Sequence, residues 1–430
     1  MIGIIGGGIS GLTLAYYLQK AGKEYVLLEA SNRYGGCIHT DKDTGRELGP
    51  NTILEDEYVQ ALIQDLQIED DTIEANPISK DRFILKNGKI QKLPTHPLKL
   101  LTSCFFSWKT KRQILGELKK PYQAIENETI KDFFVRRFGQ EVYDYAVNPF
   151  ISGIYAGDPA TLLIKEAFPQ LVAYEKEYGS VIKGFKNNQS KARKRTLSFK
   201  KGLSYLPEAI AQALTQAYLH SPVTSIEAIE GKKYKLYTTQ KEFTVSQLVF
   251  AIPAKATANL LSSLYPALSE KLRHIYYPPM TIVHTVVDRS KVKKLPQGFG
   301  VLHPKIENRF AAGTIWSSSI FPKEKESFMF TSFVGGSQYI DHATLEEEEI
   351  KTRLWEELKA MHQIPEESLK EQSVYKWDRA IPQYDMALSD AVAIIPSLEK
   401  DNIYICSNWY EGISLPACIK KGKELALKLF

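Results

Sequence analysis

Apolar and polar residues recur along the chain with the periods of both strands and helices. Met1 to Ile5 is a short apolar run typical of a buried strand. Apolar residues then recur at roughly helical spacing up to Gly22, at Leu12, Ala15, Tyr16 and Leu18. A second apolar run, Tyr25 to Leu28, predicts another strand. The chain therefore opens with a strand, a turn, a helix and a strand.

The same patterns predict elements farther along. Tyr58 to Leu66 has the spacing of an amphipathic helix, and the alternation of RFILKNGKIQKL around Asn87 and Gly88 predicts a hairpin with a type I′ turn. The pattern of apolar residues is mainly helical in 94–190 and alternates like that of strands in 223–252 and 280–337. In 343–361 it predicts a long charged helix. Because no internal repeat or low-complexity linker occurs, we expect domains woven from discontinuous segments.

The turn between the first strand and the first helix contains a G-x-G-x-x-G motif, Gly6 to Gly11. In this position Gly6 makes a tight turn, Gly8 lets the backbone approach a pyrophosphate, and Gly11 lets the helix pack closely on the strand. The phosphates would lie at the positive end of the helix. Glu29, eighteen residues after Gly11, is placed to bind a ribose diol. A glycine-rich turn without a ligand is the alternative.

Composition narrows the class of protein. The 430 residues are 43% hydrophobic and 24% charged, which predicts a globular protein of two or three domains. The net charge of +5 is too small to indicate nucleic acid binding. No signal peptide or membrane span is predicted. The cysteines are scattered without a C-x-x-C pair, which argues against a disulfide framework or a zinc site and fits a reducing compartment: Cys37, Cys104, Cys406 and Cys418.

Three further segments indicate the kind of dinucleotide. Glu29 is followed by ASNRYGGCIHT and later by ELGPNT, and the chain ends with NIYICSNWYEGISLPACIKKGKELALKLF. Together with the glycine motif these stretches resemble the flavoprotein superfamily of monoamine oxidase, phytoene desaturase and protoporphyrinogen oxidase. HSPVTSIEAIEGKKYKLYTT and SQLVFAIPA resemble its internal FAD-binding piece. One departure is Ser407, where the superfamily usually has glycine.

This resemblance implies non-covalently bound FAD held by three separated segments. Carried over to this chain, it implies the following FAD-binding residues: Gly6, Gly8, Ile9, Ser10, Gly11, Glu29, Ala30, Arg33, Gly35, Gly36, Gly49, Pro50, Asn51, Thr52, Val223, Ala251, Asn408, Gly412, Ile413, Ser414 and Leu415.

Within the superfamily, the chain most resembles the protoporphyrinogen oxidases. The similar stretches include NPFISGIYAGDPATLLIKEAFPQL, DRFILKNGKIQKLPT and LPQGFGVLHP. The resemblance implies five substrate-binding residues, Arg82, Gly153, Phe299, Leu302 and Phe333. A guanidinium suits a propionate because it can hold a carboxylate bidentately. An exposed hairpin arginine, ordinary core packing and a turn glycine are the alternatives for these positions.

The activity implied by the resemblance is the six-electron oxidation of protoporphyrinogen IX to protoporphyrin IX in heme biosynthesis, with dioxygen as acceptor and hydrogen peroxide as product. FAD carries out the redox chemistry, so no catalytic acid or base is assigned. His39, Asp158 and Glu411 are candidate proton carriers. Coproporphyrinogen III oxidation, a flavin amine oxidase or carotenoid desaturase, and a non-enzymatic flavin sensor of heme synthesis remain alternatives.

The expected fold is α/β, with a Rossmann-like FAD-binding domain woven with a mixed-sheet substrate domain and a helical, membrane-associated domain. The boundaries are 1–54 plus 196–262 plus 395–430 for FAD, 55–92 plus 263–394 for substrate, and 93–195 for the helical domain. His96 to Tyr122 mixes aromatic and basic residues as an interfacial anchor does. We therefore expect a cytoplasmic protein peripheral on the inner face of the membrane. A homodimer and contact with ferrochelatase are further expectations.

Overall fold

The computed structural model describes residues 1–94, 102–188, 195–322 and 325–429. The chain divides into two compact units. The first combines Met1–Glu74, Ala192–Tyr276 and Ala387–Phe430, and the second combines Ala75–Lys191 and Tyr277–Met386. Each unit is therefore assembled from segments far apart in the sequence, as the absence of linkers suggests. The three predicted domain boundaries stay predictions.

A five-stranded parallel sheet forms the centre of the first unit. Its strands, in spatial order, are Ile403–Ile405, Gln247–Phe250, Ile2–Ile5, Tyr25–Leu28 and Ala217–Tyr218. The predicted first and second strands are confirmed, and both are fully buried. The sheet thus unites the two ends of the chain with an internal segment.

The helix Ile9–Lys20 packs between this sheet and the C-terminal helix, Leu415–Lys428. Its Leu12, Leu14 and Leu18 side chains are fully buried in the core of the unit. The two helices approach closely because Gly422 has no side chain, and a Cβ there would lie 2.8 Å from the backbone oxygen of Ser10.

Two antiparallel three-stranded sheets and further helices complete the first unit. The sheets are Glu242–Val245, Lys233–Thr238 and Val223–Ile229, and Ile53–Leu54, Thr196–Phe199 and Thr72–Glu74. The helices are Glu57–Leu66, Tyr205–Ala213, Ala254–Leu261, Pro266–Arg273 and Met386–Val392, whose first residue belongs to the second unit, with 3-10 turns at Glu69–Asp71 and Ile395–Asp401.

A seven-stranded mixed sheet forms the second unit. Its strands, in spatial order, are Leu369–Trp377, Met280–Asp288, Ser327–Gly335, Gly313–Ile315, Gly300–Leu302, Arg82–Lys86 and Lys89–Lys92. All neighbours are antiparallel except Gly300–Leu302 and Arg82–Lys86, which are parallel. The predicted hairpin is confirmed, because Asn87 and Gly88 both have the positive φ of a type I′ turn.

Helices cover the sheet of the second unit. They are Trp108–Gly116, Ile130–Phe138, Gln140–Val142, Asn148–Tyr155, Ile164–Ala167, Pro169–Tyr178, Val181–Asn187, Ser317–Ile320, Ile340–Thr344 and Glu347–His362. A π-helical turn spans Tyr143–Val147, and 3-10 turns span Pro77–Lys80, Glu117–Lys119, Arg289–Lys291, Lys305–Glu307 and Glu366–Ser368.

The charged helix predicted for 343–361 is shorter than expected. It begins at Glu347, because Leu345 and Glu346 are extended and separate it from Ile340–Thr344. The apolar spacing of 343–361 predicts inward side chains at Leu345, Ile350, Leu354, Trp355 and Leu358. All are buried in the core of the unit except Leu345, which is half-buried. The pattern thus predicted the buried stripe but not the break.

The predicted anchor segment is only partly an exposed surface. His96 to Leu101 lie outside the described residues. Phe105 and Phe106 are buried against Ile84, so their predicted insertion into a membrane is wrong. Both rings lie beside the Lys86 ammonium, which holds them in the unit. Within the described residues, no helix is both long and apolar enough to cross a bilayer.

A partly buried ion pair fixes this segment to the sheet. Lys86 Nζ donates to Glu141 Oε1 at 2.7 Å. The same carboxylate accepts hydrogen bonds from the Ser107 and Thr110 hydroxyls. Although burial alone would raise it, these partners lower the pKa of Glu141 from 4.5 to about 2.

This pKa predicts acid-sensitive stability. A carboxyl whose pKa is depressed in the folded state stabilises it above the unfolded value and loses that stabilisation as pH falls from about 4.5 toward 2. The free energy of unfolding of the wild type should therefore exceed that of Glu141→Gln at pH 7. That excess should shrink by about 2 kcal/mol at pH 3, measured by urea unfolding. An excess that does not change with pH would contradict the assignment.

Candidate functional site

The glycine motif brings a strand end and a helix start into backbone contact in the first unit. Gly6 has φ +111°, and a Cβ there would lie 2.5 Å from the Ala251 carbonyl oxygen. A Cβ at Gly11 would lie 2.1 Å from the Gly6 oxygen. Ala251 N donates to Ile5 O at 2.8 Å, which places the end of the internal strand Gln247–Phe250 against the turn. Side chains at these glycines would therefore force the elements apart.

Gly8 differs from Gly6 and Gly11 because the position that its Cβ would occupy is open. It is the N-cap of Ile9–Lys20, with no side-chain cap, and a Cβ there would meet nothing within 4 Å. Ile9 and Ser10 form the first turn of the helix, whose N–H groups carry the positive end of the helix dipole. The result is an open cradle suited to a phosphate.

The Glu29 carboxylate is held in place by backbone donors. Gly7 N donates to Oε2 at 2.7 Å, and Ser31 N and Oγ donate to Oε1 at 2.8 and 2.7 Å. Remaining lone pairs on these oxygens can accept hydrogen bonds from a diol. Ala30 is exposed beside it. Sequence reasoning missed Gly7 and Ser31, although a serine two residues after an acid is a recognisable local hydrogen-bonding signal.

The second glycine pair lies against the first. Gly35 N donates to Gly7 O at 2.8 Å, and a Cβ at Gly36 would lie 3.3 Å from the Gly8 Cα. Arg33 fixes this loop, since its guanidinium donates to Gly36 O at 2.7 Å and Ile38 O at 3.0 Å. Arg33 thus acts on the backbone that lines the cradle.

The segment containing Gly49 is positioned by a polar network. Glu47 Oε2 accepts from Thr40 Oγ1 at 2.7 Å, and Thr40 N donates to Ser204 Oγ at 2.7 Å. A Cβ at Gly49 would lie 2.0 Å from the Cys37 oxygen, so two chain segments touch there. The half-buried residues that follow are Pro50, Asn51 and Thr52.

The internal segment reaches the acid through backbone bonds. Glu29 N donates to Tyr218 O at 2.9 Å, and Ser221 N donates to Glu29 O at 2.8 Å. Val223 begins the next strand, two residues beyond this contact, and is half-buried. The structure thereby brings Val223 to the side of the sheet where Glu29 lies.

The C-terminal segment contacts the internal segment at the backbone of Ile252. Trp409, which is fully buried, donates from Nε1 to Ile252 O at 3.0 Å, and Ser407 Oγ donates to the same oxygen at 2.5 Å. Cys406 lies just after the strand Ile403–Ile405. Ser407 therefore has its own structural role where the superfamily usually has glycine. Asn408 lies in the turn, Gly412 and Ile413 follow, and Ser414 caps the helix that begins at Leu415.

All the residues predicted to bind FAD therefore belong to the first unit, on three segments joined by the parallel sheet. A glycine cradle at a helix N-terminus, a backbone-held carboxylate and a closing C-terminal turn fit a dinucleotide. Their individual contacts with FAD stay predictions.

The five predicted substrate residues lie in the second unit. The Arg82 guanidinium carbon is 4.1 Å from the centroid of the Phe299 ring. In the described part of the chain, this guanidinium makes no ion pair and no hydrogen bond. Arg82 is an exposed residue, and desolvation by the surrounding protein lowers the pKa of its guanidinium. Among the described residues, the Arg82 guanidinium thus has no anionic partner.

Leu302 links the other two residues, Gly153 and Phe333. A Cβ at Gly153 would lie 2.8 Å from Leu302 Cδ2, so the helix of Gly153 contacts this side chain directly. Leu302 pairs with Gly313, and Gly313 pairs with Phe333. Residues paired across strands share a sheet face, so Leu302 and Phe333 flank a position without a side chain. Gly153 contacts Leu302, and its predicted role toward substrate stays a prediction.

The candidate proton carriers have separate surroundings. Partial burial, and then the Arg33 guanidinium, lower the pKa of His39, which favours its neutral form. Asp158 accepts from Ala160 N at 2.9 Å and pairs with Lys305 at 3.2 Å, a structural arrangement. Glu411 is exposed in the C-terminal turn. No cluster of three or more potential metal ligands occurs among the residues that the structure describes.

Comparisons with known proteins agree with this geometry. Residues 9–428 match the family of flavin containing amine oxidoreductases. The chain is 30% identical to protoporphyrinogen oxidase 2, chloroplastic/mitochondrial, of Arabidopsis thaliana, over 99% of this chain and 92% of that protein. It is 27% identical to coproporphyrinogen III oxidase of Bacillus subtilis (strain 168), over 98% and 96%.

A solved structure has a similar fold. The crystal structure of a proposed protoporphyrinogen oxidase from Exiguobacterium sp. 255-15 matches with a TM-score of 0.81 and 21% identity, covering 100% of this chain and 98% of the other. At this identity the likeness supports the fold alone. The α/β fold with several sheets is thereby confirmed.

The open space at Gly8 generates a prediction about cofactor binding. Gly8→Ala should weaken FAD binding at least about tenfold, because the added methyl enters the cradle where a pyrophosphate would lie. The apoprotein should melt no lower than the wild type, because the φ of −73° suits alanine. Fluorescence titration with FAD and thermal melting of the apoprotein measure the two effects. Unchanged FAD affinity would contradict the site.

Proposed function

The chain belongs to the flavin-containing amine oxidoreductase family and is an FAD-dependent oxidoreductase, and we propose that its substrate is protoporphyrinogen IX, which it oxidises to protoporphyrin IX. The observation that carries this proposal is the Arg82 guanidinium, which has no anionic partner among the described residues, lies beside the Phe299 ring and shares a sheet face with Leu302 and Phe333. A tetrapyrrole with few carboxylates presents the complementary surface, a broad apolar ring with an anionic edge.

The cations near Arg82 bear on the number of carboxylates that the substrate carries. Arg82 is the first residue of its strand, and its guanidinium has no anionic partner in the described ranges. Two neighbouring cations are already occupied, since Lys86 pairs with Glu141 at 2.7 Å and Lys92 pairs with Asp81 at 2.5 Å. Protoporphyrinogen IX carries two propionates, and coproporphyrinogen III carries four. Coproporphyrinogen III is the second candidate, since a Bacillus subtilis relative has that name.

The chemistry removes six hydrogens from the macrocycle. Bound FAD would accept two electrons in each of three rounds, and three dioxygen molecules would leave as three hydrogen peroxide molecules. The chain's own residues bind and orient: Arg82 holds a propionate, while Phe299, Leu302 and Phe333 contact the ring.

Arg82→Ala tests the substrate assignment. We expect kcat/KM for protoporphyrinogen IX to fall about 10–100-fold, mainly through KM, because a charge-assisted hydrogen bond contributes about 1.5–3 kcal/mol. Bound FAD and the melting temperature should not change. Steady-state assays of porphyrin fluorescence, with FAD absorbance on the same samples, measure both quantities.

Lys92→Ala is the matched control, because it removes a cation of the neighbouring strand that Asp81 already neutralises. It should leave KM within about twofold of the wild type. Equal effects of the two substitutions would count against a specific role of Arg82. Assaying coproporphyrinogen III beside protoporphyrinogen IX decides the substrate, since the higher kcat/KM identifies it.

We further propose that the helix Trp108–Gly116 contacts an anionic membrane surface from the cytoplasmic side. Trp108 is 77% exposed and Leu115 is 51% exposed. They share a helix face with Arg112, and Lys109 is exposed beside it. An apolar side chain flanked by cations suits a lipid headgroup boundary.

Trp108→Ser should weaken binding to phosphatidylserine vesicles about tenfold, since it removes a large apolar side chain from the contact. Co-sedimentation with vesicles at low and high salt measures it. Leu427→Ser, at a 57% exposed residue of the first unit, is the control and should have no effect. Wild-type protein that ignores these vesicles at low salt would refute the proposal.

A further inference from the structure

Lys421 is a buried lysine without an acidic partner. It lies on the C-terminal helix and is 7% exposed. Its ammonium donates to the carbonyl oxygens of Ser407 at 2.5 Å and Gly412 at 3.5 Å, and to that of Tyr410. No carboxylate lies within ion-pair distance of Lys421 in the described structure. Three carbonyl groups of one turn thus converge on a single cation.

The turn that receives Lys421 has an unusual backbone. Glu411 has φ +54° and Gly412 has φ +110°, so two successive residues occupy conformations in which side chains are disfavoured. Carbonyl dipoles that point at one another repel, and a cation between them removes this repulsion. Lys421 therefore supplies the charge that makes this turn stable.

The same peptide groups also carry N–H groups, which point away from Lys421. In a trans peptide, the C=O of one residue and the N–H of the next point in opposite directions. Carbonyls of Tyr410 and Gly412 that face Lys421 therefore turn the N–H groups of Glu411 and Ile413 away from it. Neither N–H donates to another described residue. Successive N–H groups in such a turn form a concave site for an acceptor.

Packing alone does not account for a lysine here. Burying an ammonium costs free energy that an apolar side chain of similar length, such as methionine, would not require. The neighbouring Gly422 and Cys418 show that this helix face is otherwise small and apolar. The lysine is therefore the one charged group on a face that packing would fill with apolar atoms.

We propose that Lys421 is a positioning residue for FAD: it gathers the carbonyls of the Ser407–Gly412 turn, so that the N–H groups of Glu411 and Ile413 face the acceptor atoms of the cofactor. The charge acts through the turn, without contact between Lys421 and FAD. This inference goes beyond the proposed substrate and depends only on FAD binding.

Lys421→Met separates this role from packing. The dissociation constant of FAD, from fluorescence titration of the apoprotein, should rise at least about tenfold. The melting temperature of the apoprotein should stay the same or rise, because a buried charge is replaced by an apolar side chain. If FAD affinity stays within twofold of the wild type, the proposal is wrong. A parallel loss of FAD affinity and apoprotein stability indicates packing and also overturns it.

Lys420→Met is the matched control. Lys420 is the preceding residue, is exposed, and lies 3.8 Å from Glu424. It carries the same charge near the same turn but reaches no turn carbonyl, so its removal should leave FAD affinity unchanged. An equal loss in both variants would indicate general electrostatics rather than the turn.

Chemical rescue provides a readout that a purely structural role would not move. In Lys421→Ala, n-propylammonium ions can occupy the space of the missing side chain. We expect millimolar n-propylammonium to restore FAD affinity at least fivefold, whereas n-butane, which lacks the charge, should not. Failure of the ammonium to restore binding, in a variant that remains folded, would overturn the proposal. These titrations contain no porphyrinogen, so they fail or succeed independently of the proposed substrate.

Discussion

The structure depends on one close approach of backbones, at the carboxyl end of the first strand. Gly6, Gly11 and Ala251 meet there, and a Cβ at Gly11 would lie 2.1 Å from the Gly6 oxygen. Only glycine permits this contact, and it determines where the first helix begins. The helix N-terminus, the cradle at Gly8 and the acid at Glu29 all follow from that placement. A second close approach of this kind occurs at Gly422, where the C-terminal helix packs on the first helix.

The two units differ in the partners that hold the charged groups discussed here. In the first unit, Glu29, Arg33 and Lys421 are each held by backbone groups, which leaves them rigid. Such rigid groups suit a resident cofactor, because no reorganisation is required when it binds. In the second unit, Arg137 is fully buried and paired with Glu117 and Glu175. Arg82 is the contrasting case, an arginine beside an aromatic ring and without a carboxylate in the described ranges.

Sequence reasoning succeeded where the signal is local. The strands Ile2–Ile5 and Tyr25–Leu28, the helix Ile9–Lys20 and the Asn87–Gly88 turn depend on short-range periodicity and on glycine chemistry. The FAD-binding residues of the glycine motif are predicted from the same kind of local signal. Phe105 and Phe106 were misassigned because their burial depends on Ile84 and Lys86, which lie about twenty residues earlier on another element. Pattern alone cannot distinguish an aromatic pair that faces lipid from one that faces a distant strand.

Lys421 illustrates a harder limit of sequence reasoning. In the run CIKKGKE, two lysines are adjacent, and both resemble surface residues by composition. Helical geometry separates them, because Lys421 shares the buried face with Cys418 and Gly422 while Lys420 is exposed. A lysine on the apolar face of an amphipathic helix is therefore a usable signal, provided that the helix is known. Its partners are carbonyl groups, which every residue has, so no sequence motif could reveal them. The physical argument for such a lysine must come from the backbone, and here the positive φ values of Glu411 and Gly412 supply it.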